Sequence, residues 1–399
     1  MNQTLSADCY PVTLLPEMSR FYLDYCSGND RLLAFNASLP RDGAWQHRPQ
    51  IPAHWPKLVR LLREQNPSPE AAPALEILAQ GGGAVVTGQQ VALFGGPLFT
   101  PFKMATAVAR AQQASRLGHA HAAVFWLASG DHDFAEIDHV VFPAGRELAK
   151  LVYAHAPETS MPVGRIVLDG SILPLVDRAR ELLGPSEATE ALARAYPPGK
   201  TFAQAFAEFY TPLFGAQGLL VLDVNAEGSA RDLHRMGGPV LRAAIERADE
   251  LHQALLERNQ ALEAAGYHAQ VAVLPQSSLL FLIDERTGAR QTLKRTAPGA
   301  TEPGGLWQAG KQNYSTNDLL GILDAEPERI SPAALLRPVF QDFLLSSSLI
   351  IGGPAELAYF AQSAVLYERI LGRQTPAAPR FSATLIEPSI AELMRRHEL

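Results

Sequence analysis

Three ionisable side chains stand together in the segment SGDHDF, residues 129–134. Asp131, His132 and Asp133 could hold an ammonium group, transfer a proton or bind a metal ion. Because adjacent residues cannot all face the same way, we expect one or two of them to point into a cleft. A divalent-metal site would need further His or carboxylate ligands that the sequence does not visibly supply, so we predict no bound metal.

A second set of candidate residues lies in VTGQQVALFGGPLFTPFK, residues 86–103. The turn of Gly95, Gly96 and Pro97 lets a ligand approach the backbone, and N–H groups at the start of the next helix favour an anion such as phosphate or carboxylate. Lys103 would add a positive charge there. The alternative is a tight turn followed by a solvated lysine. Neither a Walker A loop nor a GxGxxG fingerprint occurs in the chain.

Polar residues also follow or accompany other apolar segments. Gln89 and Gln90 end a β-branched run, where their amides could orient a polar ligand or could satisfy loop backbone instead. Near the C-terminus, Arg337 could grip a carboxylate and Glu356 could receive an amine, although a structural ion pair suits either residue equally well. Tyr359 lies three residues after Glu356 and therefore shares its helix face.

These residues must be positioned by the elements around them. Four short apolar runs, GGGAVVTG, AAVFWLA, GLLVLDVN and SLIIGG, alternate with segments of helical spacing, which is typical of a parallel α/β sheet. Ligands bind such sheets at the carboxyl ends of the strands, where the candidate residues fall. Thr100 is predicted to cap a helix over 101–117, with Pro101 as its first residue and Gly118 after its end.

Downstream, the spacing predicts one long amphipathic helix from Gly237 to Gly266. The alternating segments YHAQVAVLP and SLLFLIDERTGARQTLKR then predict strands of an antiparallel insertion, the second segment folding back at Arg-Thr-Gly. The segment TAPGATEPGGLWQAGKQ is predicted to be its flexible exit.

Composition restricts the class of protein. Of 399 residues, 47% are hydrophobic and 19% are charged, as in a folded soluble chain. A net charge of −7 argues against nucleic acid as the main partner. Cys9 and Cys26 alone provide neither a disulfide framework nor a CxxC metal cluster. The first twenty residues lack a signal-peptide pattern and no apolar run approaches ~18 residues, so we predict a cytoplasmic protein without a membrane span.

Four ordered blocks of sequence together resemble the BshC family of cysteine ligases of bacillithiol biosynthesis. They are VVTGQQVALFGGPLFTPFKMATA, VFWLASGDHDFAEIDH, GYHAQVAVLPQSSLLF and the C-terminal series LLRPVFQDFLL, IIGGPAELAYFAQ and PRFSATLIE. The resemblance covers most of residues 20–390. It implies a Rossmann-type α/β core, related to class I aminoacyl-tRNA synthetases, with helical and antiparallel β insertions. It also implies a ligase that joins cysteine to glucosaminyl-malate and so forms bacillithiol.

On this resemblance we expect residues 1–80 to form a helical wrap and residues 81–385 to form the core, with connective insertions near 145–200 and 266–315. Residues 386–399 would begin a C-terminal helical region. Family members continue into a coiled coil that supports dimerisation, whereas this chain ends at Leu399, so a homodimer is not assumed. By analogy with the synthetases, ATP or ADP is a candidate cofactor.

The resemblance also connects the candidate residues, because carboxylates of malate and cysteine would meet basic side chains and helix N–H groups, while amino groups would meet acidic side chains. The predicted catalytic residues are Asp131, His132 and Asp133. The predicted substrate- or anion-binding residues are Gln89, Gln90, Gly95, Gly96, Pro97, Lys103, Trp126, Ser129, Arg337, Gln341, Asp342, Gly352, Gly353, Glu356, Tyr359 and Arg380.

Two other classes of protein stay open at this point. The family's turn reads Glu-Asp-His-Asp, and this chain has Gly130 in place of that glutamate. A family member without catalysis would bind a nucleotide or metabolite and make no product. A metal-dependent hydrolase built on Asp131, His132 and Asp133 is the third class, and its activity would be abolished by a chelator.

Overall fold

The computed structural model of the chain describes residues 8–15, 17–35, 50–145, 147–295 and 306–398. Its helices are α1 Arg20–Ser27, α2 Trp55–Gln65, α3 Ala72–Ala79, α4 Phe99–Arg116, α5 Ile172–Leu183, α6 Glu187–Ala195, α7 Phe202–Phe214, α8 Ala230–Glu246, α9 Ala248–Ala264, α10 Thr316–Ala325, α11 Arg337–Leu345, α12 Pro354–Leu371 and α13 Pro388–Arg396. Its strands are β1 Gly83–Gln90, β2 His121–Ala128, β3 His139–Ala144, β4 Glu147–Val152, β5 Leu219–Asp223, β6 Ser277–Ile283, β7 Arg290–Arg295, β8 Leu306–Ala309, β9 Gln312–Ser315, β10 Ile330–Pro332, β11 Leu349–Gly352 and β12 Ala377–Pro379.

A five-stranded parallel sheet in the order β12-β11-β1-β2-β5 is the centre of the fold. Val85 and Val86 of β1 are both fully buried although they face opposite sides of the sheet. Val86 belongs to one hydrophobic core, which includes side chains of α2, α3 and α8, and Val85 belongs to another, which includes side chains of α4 and α7. Burial on both faces explains why the strands read as continuous apolar runs. The predicted parallel α/β class is confirmed.

Two antiparallel sheets are inserted into this frame. One has the order β10-β6-β7-β8-β9, and the other is the hairpin of β3 and β4. The predicted fold-back at Arg-Thr-Gly is confirmed as the turn between β6 and β7, where Asp284 N donates to Ala289 O at 2.9 Å. The segment predicted to be a flexible exit contains strand β8, so that prediction is wrong for residues 306–309. Residues 296–305 of the segment lie outside the described part.

The strand predicted for YHAQVAVLP is wrong, because no described strand covers residues 267–275. The backbone of Val271 bonds a side chain instead of a neighbouring strand. Gln362 of α12 accepts from Val271 N at 2.8 Å and donates to Val271 O at 2.9 Å. A buried amide therefore replaces the ladder that the alternating pattern predicts.

Two helix predictions also need correction. The single helix predicted from Gly237 to Gly266 is two helices, since α8 ends at Glu246 and α9 begins at Ala248. Thr100 does not cap α4, because the helix begins at Phe99 and Thr100 is buried inside it. Gly118 does follow the helix in the left-handed region, with φ of 87°. None of the described helices combines the length and hydropathy needed to cross a membrane.

Candidate functional site

The carboxyl ends of the parallel strands bring together residues from distant parts of the sequence. A cavity of about 370 Å³, here called the large lobe, opens at this edge of the sheet beside α4, α11 and α12. Predicted site residues provide most of its polar lining. These are Gln89, Gln90, Lys103, Arg337, Gln341, Glu356, Tyr359 and Arg380, together with Gly353 and Trp126.

A smaller cavity of about 40 Å³, here called the small lobe, adjoins the large one. Trp126, Ala128 and Arg337 line both lobes. The polar residues that line the small lobe without lining the large one are Asp131, Asn225, His234, Arg290 and Ser331. A volume of this size has room for a small group of ligand atoms but not for a whole substrate.

Lys103 is only 3% exposed, and it lies in the wall of the large lobe. Its Nζ pairs with the carboxylate of Glu356 and donates to Gly88 O at 3.0 Å and to Gln89 Oε1 at 2.8 Å. Burial lowers the pKa of Lys103, and the carboxylate of Glu356 opposes that shift. Glu356 is therefore the anion that stabilises this desolvated cation.

Glu356 has a second contact at the start of α12. Its Oε2 accepts a hydrogen bond from Gly353 N at 2.7 Å. A carboxylate in the first turn also interacts favourably with the helix dipole. The ion pair with Lys103 thus joins α4 and α12, and it fixes one wall of the large lobe.

Two guanidinium groups of the large lobe have no acidic partner in the part of the chain that the structure describes. Arg337 is half-buried at the first position of α11, and its guanidinium group has neither an ion pair nor a hydrogen bond there. Arg380 donates only to groups of the next two residues, and it lies 5.5 Å from the ring centroid of Phe99. Because Glu356 neutralises Lys103, the large lobe favours an anionic ligand.

An amide of the large lobe also has an unused donor. Gln90 Nε2 is buried without a hydrogen-bond partner among the described residues. Leaving a buried N–H unsatisfied costs about 1–3 kcal/mol. A ligand oxygen beside Gln90 would recover that cost, so the lobe offers hydrogen-bond donors as well as positive charge.

The turn after β2 is held by two backbone hydrogen bonds, from Val163 N to Asp131 O at 2.6 Å and from Gly164 N to Ser129 O at 2.9 Å. The side chain of Asp131 lines the small lobe. Asp133 is exposed and lines neither lobe. Of the two aspartates in the turn, only Asp131 faces a cavity.

Arg290 of β7 forms one side of the small lobe, and sequence reasoning missed it. Its Nη1 lies 3.8 Å from Asp131 Oδ1 and 3.1 Å from His132 Nδ1, and its guanidinium stacks 3.5 Å from the ring centroid of Phe281. Burial lowers the pKa of Arg290 to about 10, and Asp131 opposes the shift. Arg290 belongs to the β insertion. In the sequence it is a single arginine in a predicted hairpin, and nothing there marks it as a site residue.

A buried hydrogen-bond chain lies beneath the same turn. Ser129 Oγ donates to Asp223 and accepts from Asn225 Nδ2 at 3.0 Å, and Asn225 Oδ1 lies 3.3 Å from His234 Nε2. Burial raises the pKa of Asp223 and lowers that of His234 to about 4. Asn225 and His234, which line the small lobe, were not predicted.

Other predicted residues are placed away from both lobes. Gly95 N donates to the Tyr196 hydroxyl at 3.0 Å and Gly95 O accepts from the Tyr210 hydroxyl at 2.7 Å, so its backbone is already bonded. Asp342 is fully buried and pairs with Arg373 at 2.6 Å. The predicted residues that line neither lobe are Gly95, Gly96, Pro97, Ser129, His132, Asp133, Asp342 and Gly352.

Within the described ranges, no three His, Cys, Asp or Glu side chains come together as a group that could hold a metal ion. The hydrolase alternative therefore gains no support from the geometry. A Rossmann-type sheet with a positively charged, two-lobed cleft at its carboxyl edge defines the class instead. The chain is an α/β protein with a site for a small molecule.

The comparisons with known proteins give the family. The family model described as "Bacillithiol biosynthesis BshC, N-terminal Rossmann-like domain" matches residues 8–381, and the chain belongs to the BshC family. The resemblance predicted from the four sequence blocks is confirmed.

Three relatives carry the name "Putative cysteine ligase BshC". The protein of Koribacter versatilis is 40% identical over 401 residues, which cover 98% of this chain and 73% of the relative. The protein of Solibacter usitatus is 38% identical, with 86% and 62% covered, and that of Salinibacter ruber is 31% identical, with 98% and 72% covered. These three relatives are thus named as ligases, and the chain spans 62–73% of their length.

Proposed function

We propose that this chain is a ligase that joins the carboxyl group of cysteine to the amino group of glucosaminyl-malate. The observation that carries the proposal is that two guanidinium groups, those of Arg337 and Arg380, have no acidic partner among the described residues and line a cleft next to Asp131. A malate group brings carboxylates, which guanidinium groups bind well. The names of the relatives supply the cysteine and the reaction class.

Each part of the cleft suits one part of this reaction. Arg380 and the free amide donor of Gln90 would bind the malate end in the large lobe. Asp131, at the small lobe, would accept the proton that the sugar amine loses when it attacks. Holding both substrates in one cleft, with the amine directed toward the small lobe, makes a bimolecular reaction effectively intramolecular.

The residues present fit a nucleotide's phosphates in one way only. The turns at residues 95–97 and 352–354 have backbone N–H groups that are already bonded. Gly95 N donates to the Tyr196 hydroxyl, and Gly353 N donates to the Glu356 carboxylate. With Arg380 at the malate end, Arg337 is the guanidinium group that would face phosphate oxygens. A nucleoside triphosphate bound there would supply the leaving group that activates the carboxyl group of cysteine.

The compartment proposed for this reaction is the cytoplasm. Cys9 and Cys26 are both unpaired and exposed, which suits a reducing environment.

The test is mass-spectrometric detection of bacillithiol after incubation of the purified chain with glucosaminyl-malate and cysteine, with and without ATP. Asp131→Asn should abolish product, while the matched variant Asp133→Asn, whose carboxylate lines neither lobe, should retain it. Wild-type protein that binds glucosaminyl-malate but forms no product would favour the non-catalytic alternative. Product that depends on both aspartates equally would contradict the role given to Asp131.

A further inference from the structure

We infer that Arg337 is a catalytic residue that stabilises the negative charge on the acyl oxygen while the amide bond forms. The inference rests on the proposed ligase function and adds a role to one residue of that site. Three observations support it: the position of Arg337 between the lobes, its lack of a partner, and the reach of its charge.

The first observation is position. Three residues line both lobes, Trp126, Ala128 and Arg337, and only Arg337 among them carries a charge. An amine that gives its proton to Asp131 must reach toward the small lobe from a substrate in the large lobe, so the new bond forms near the boundary between the lobes. Arg337 is the charged group that lines this boundary.

The second observation is availability. Among the described residues, Lys103 is held by Glu356, and Arg290 is held by Asp131, His132 and Ser331. The guanidinium group of Arg337 has no ion pair and no hydrogen bond with any described residue. A cation already placed at the site needs no reorganisation when charge develops, which is what makes such groups effective in catalysis.

The third observation is that the charge of Arg337 acts on both lobes. In the large lobe, burial raises the pKa of the Tyr359 phenol, and Arg337 opposes that shift. In the small lobe, burial lowers the pKa of Arg290, Asp131 opposes that shift, and the positive charge of Arg337 adds to it. Arg337 is also the first residue of α11, where the helix dipole is positive.

The chemistry uses these features as follows. The amine nitrogen attacks the carbonyl carbon of cysteine, whose carboxyl group has been activated by a nucleoside triphosphate, and a C–N bond forms. The π electrons of the carbonyl move to oxygen, and Arg337 neutralises that oxyanion. The electrons then return, the C–O bond to the phosphate-bearing leaving group breaks, and that group leaves with the electron pair. Asp131 takes the proton that nitrogen loses.

The experiment compares Arg337→Gln, Arg337→Lys and Arg380→Gln by steady-state kinetics in both substrates. Losing one oxyanion contact costs roughly 10²–10³-fold in kcat, so Arg337→Gln should lose that much with KM changed less than about threefold. Arg337→Lys keeps a charge and should recover part of kcat. Arg380→Gln should instead raise KM for the malate compound.

Two results would overturn the inference. Arg337→Gln with wild-type kcat and raised KM would make Arg337 a substrate-binding residue only. If Arg337→Gln fails to fold, Arg337→Met, which keeps a long side chain without the charge, decides instead, and a raised KM with wild-type kcat in that variant would overturn the inference as well. A wild-type chain without product would mean that the ligase function itself fails, which is a separate result from a variant that keeps kcat.

Discussion

The ion pair between Lys103 and Glu356 lies where water reaches little of either side chain, with 4% and 23% of the side chains exposed. Removing one partner of a buried pair leaves an uncompensated charge. We therefore expect Lys103→Met to lower the free energy of unfolding by about 3 kcal/mol. Adding Glu356→Gln should restore part of the loss, because glutamine is neutral and can still accept from Gly353 N. Urea unfolding of the single and double variants measures both effects.

Lys57 provides the matched control. It pairs with Asp232 at 2.8 Å, but the two side chains are 41% and 33% exposed. Exposed pairs contribute ~1 kcal/mol or less, so Lys57→Met should have a small effect. If Lys103→Met lowered the free energy of unfolding as little as Lys57→Met does, the ion pair with Glu356 would contribute little to stability. The charge of Lys103 would then be available to a ligand.

At the same scale, part of the site could be predicted and part could not. Gln89, Lys103 and Arg337 stand out in the sequence because they follow apolar runs or begin helices, and carboxyl ends of parallel strands share one edge. Glu356 was identified, but its pairing with Lys103 depends on how two distant helices pack. Arg290 could not be predicted as a site residue, because a hairpin elsewhere in the fold carries it there.

At the scale of elements, Gly237 sets how closely α8 approaches α11. A Cβ at Gly237 would lie 2.1 Å from a ring carbon of Phe340, whereas a Cβ at Gly238 would meet nothing within 4 Å. We expect Gly237→Ala to destabilise the protein by about 1–3 kcal/mol through overpacking. Phe340 packs edge-on against Trp126, which lines both lobes, so the variant should also bind glucosaminyl-malate more weakly.

Gly238→Ala is the neighbouring control in the same helix and should stay within about 1 kcal/mol of the wild type. Urea unfolding measures stability, and isothermal titration measures the affinity for glucosaminyl-malate. Equal losses in the two variants would mean that the contact with Phe340 does not determine the effect, since helix propensity alone favours alanine over glycine.

Gly237 also explains an error of prediction. The Gly-Gly-Pro at residues 237–239 is typical of a helix start, yet α8 runs through it from Ala230. Gly237 lies inside the helix because the ring of Phe340 leaves no room for a side chain there, and the periodicity of the sequence cannot reveal that contact. The parallel strands were predicted well for the opposite reason, since burial on both faces leaves a pattern that each strand shows on its own.

At the scale of the whole molecule, Asp342 links pH to stability. Burial raises the pKa of this carboxyl group to about 6, although Arg373 opposes the shift. The folded state then binds the proton more tightly than the unfolded chain. The free energy of unfolding should therefore fall as pH rises from about 4 to about 6, by up to about 3 kcal/mol from this group, and its contribution is constant above that range.

Asp342→Asn removes this titration, so the difference in unfolding free energy between wild type and variant should change with pH between 4 and 6 and level off above. Urea unfolding at half-unit pH steps measures that difference. Glu64, which is exposed and has no side-chain hydrogen bond or ion pair among the described residues, provides the comparison as Glu64→Gln. A difference that is flat with pH for Asp342→Asn would mean that the carboxyl group stays ionised in the folded state.

The pairing of β1 with β11 affects how the chain is made. Val85 of β1 pairs with Leu349 of β11, so β1 cannot complete its pairing until a segment about 260 residues further along the chain has been synthesised. At ~5–20 residues per second, the ribosome needs tens of seconds to deliver it. During that time one edge of β1 has open hydrogen-bonding groups, which is a template for aggregation. The nascent chain should therefore depend on chaperones, and the ligand cleft should form only after β11 and α12 have been synthesised.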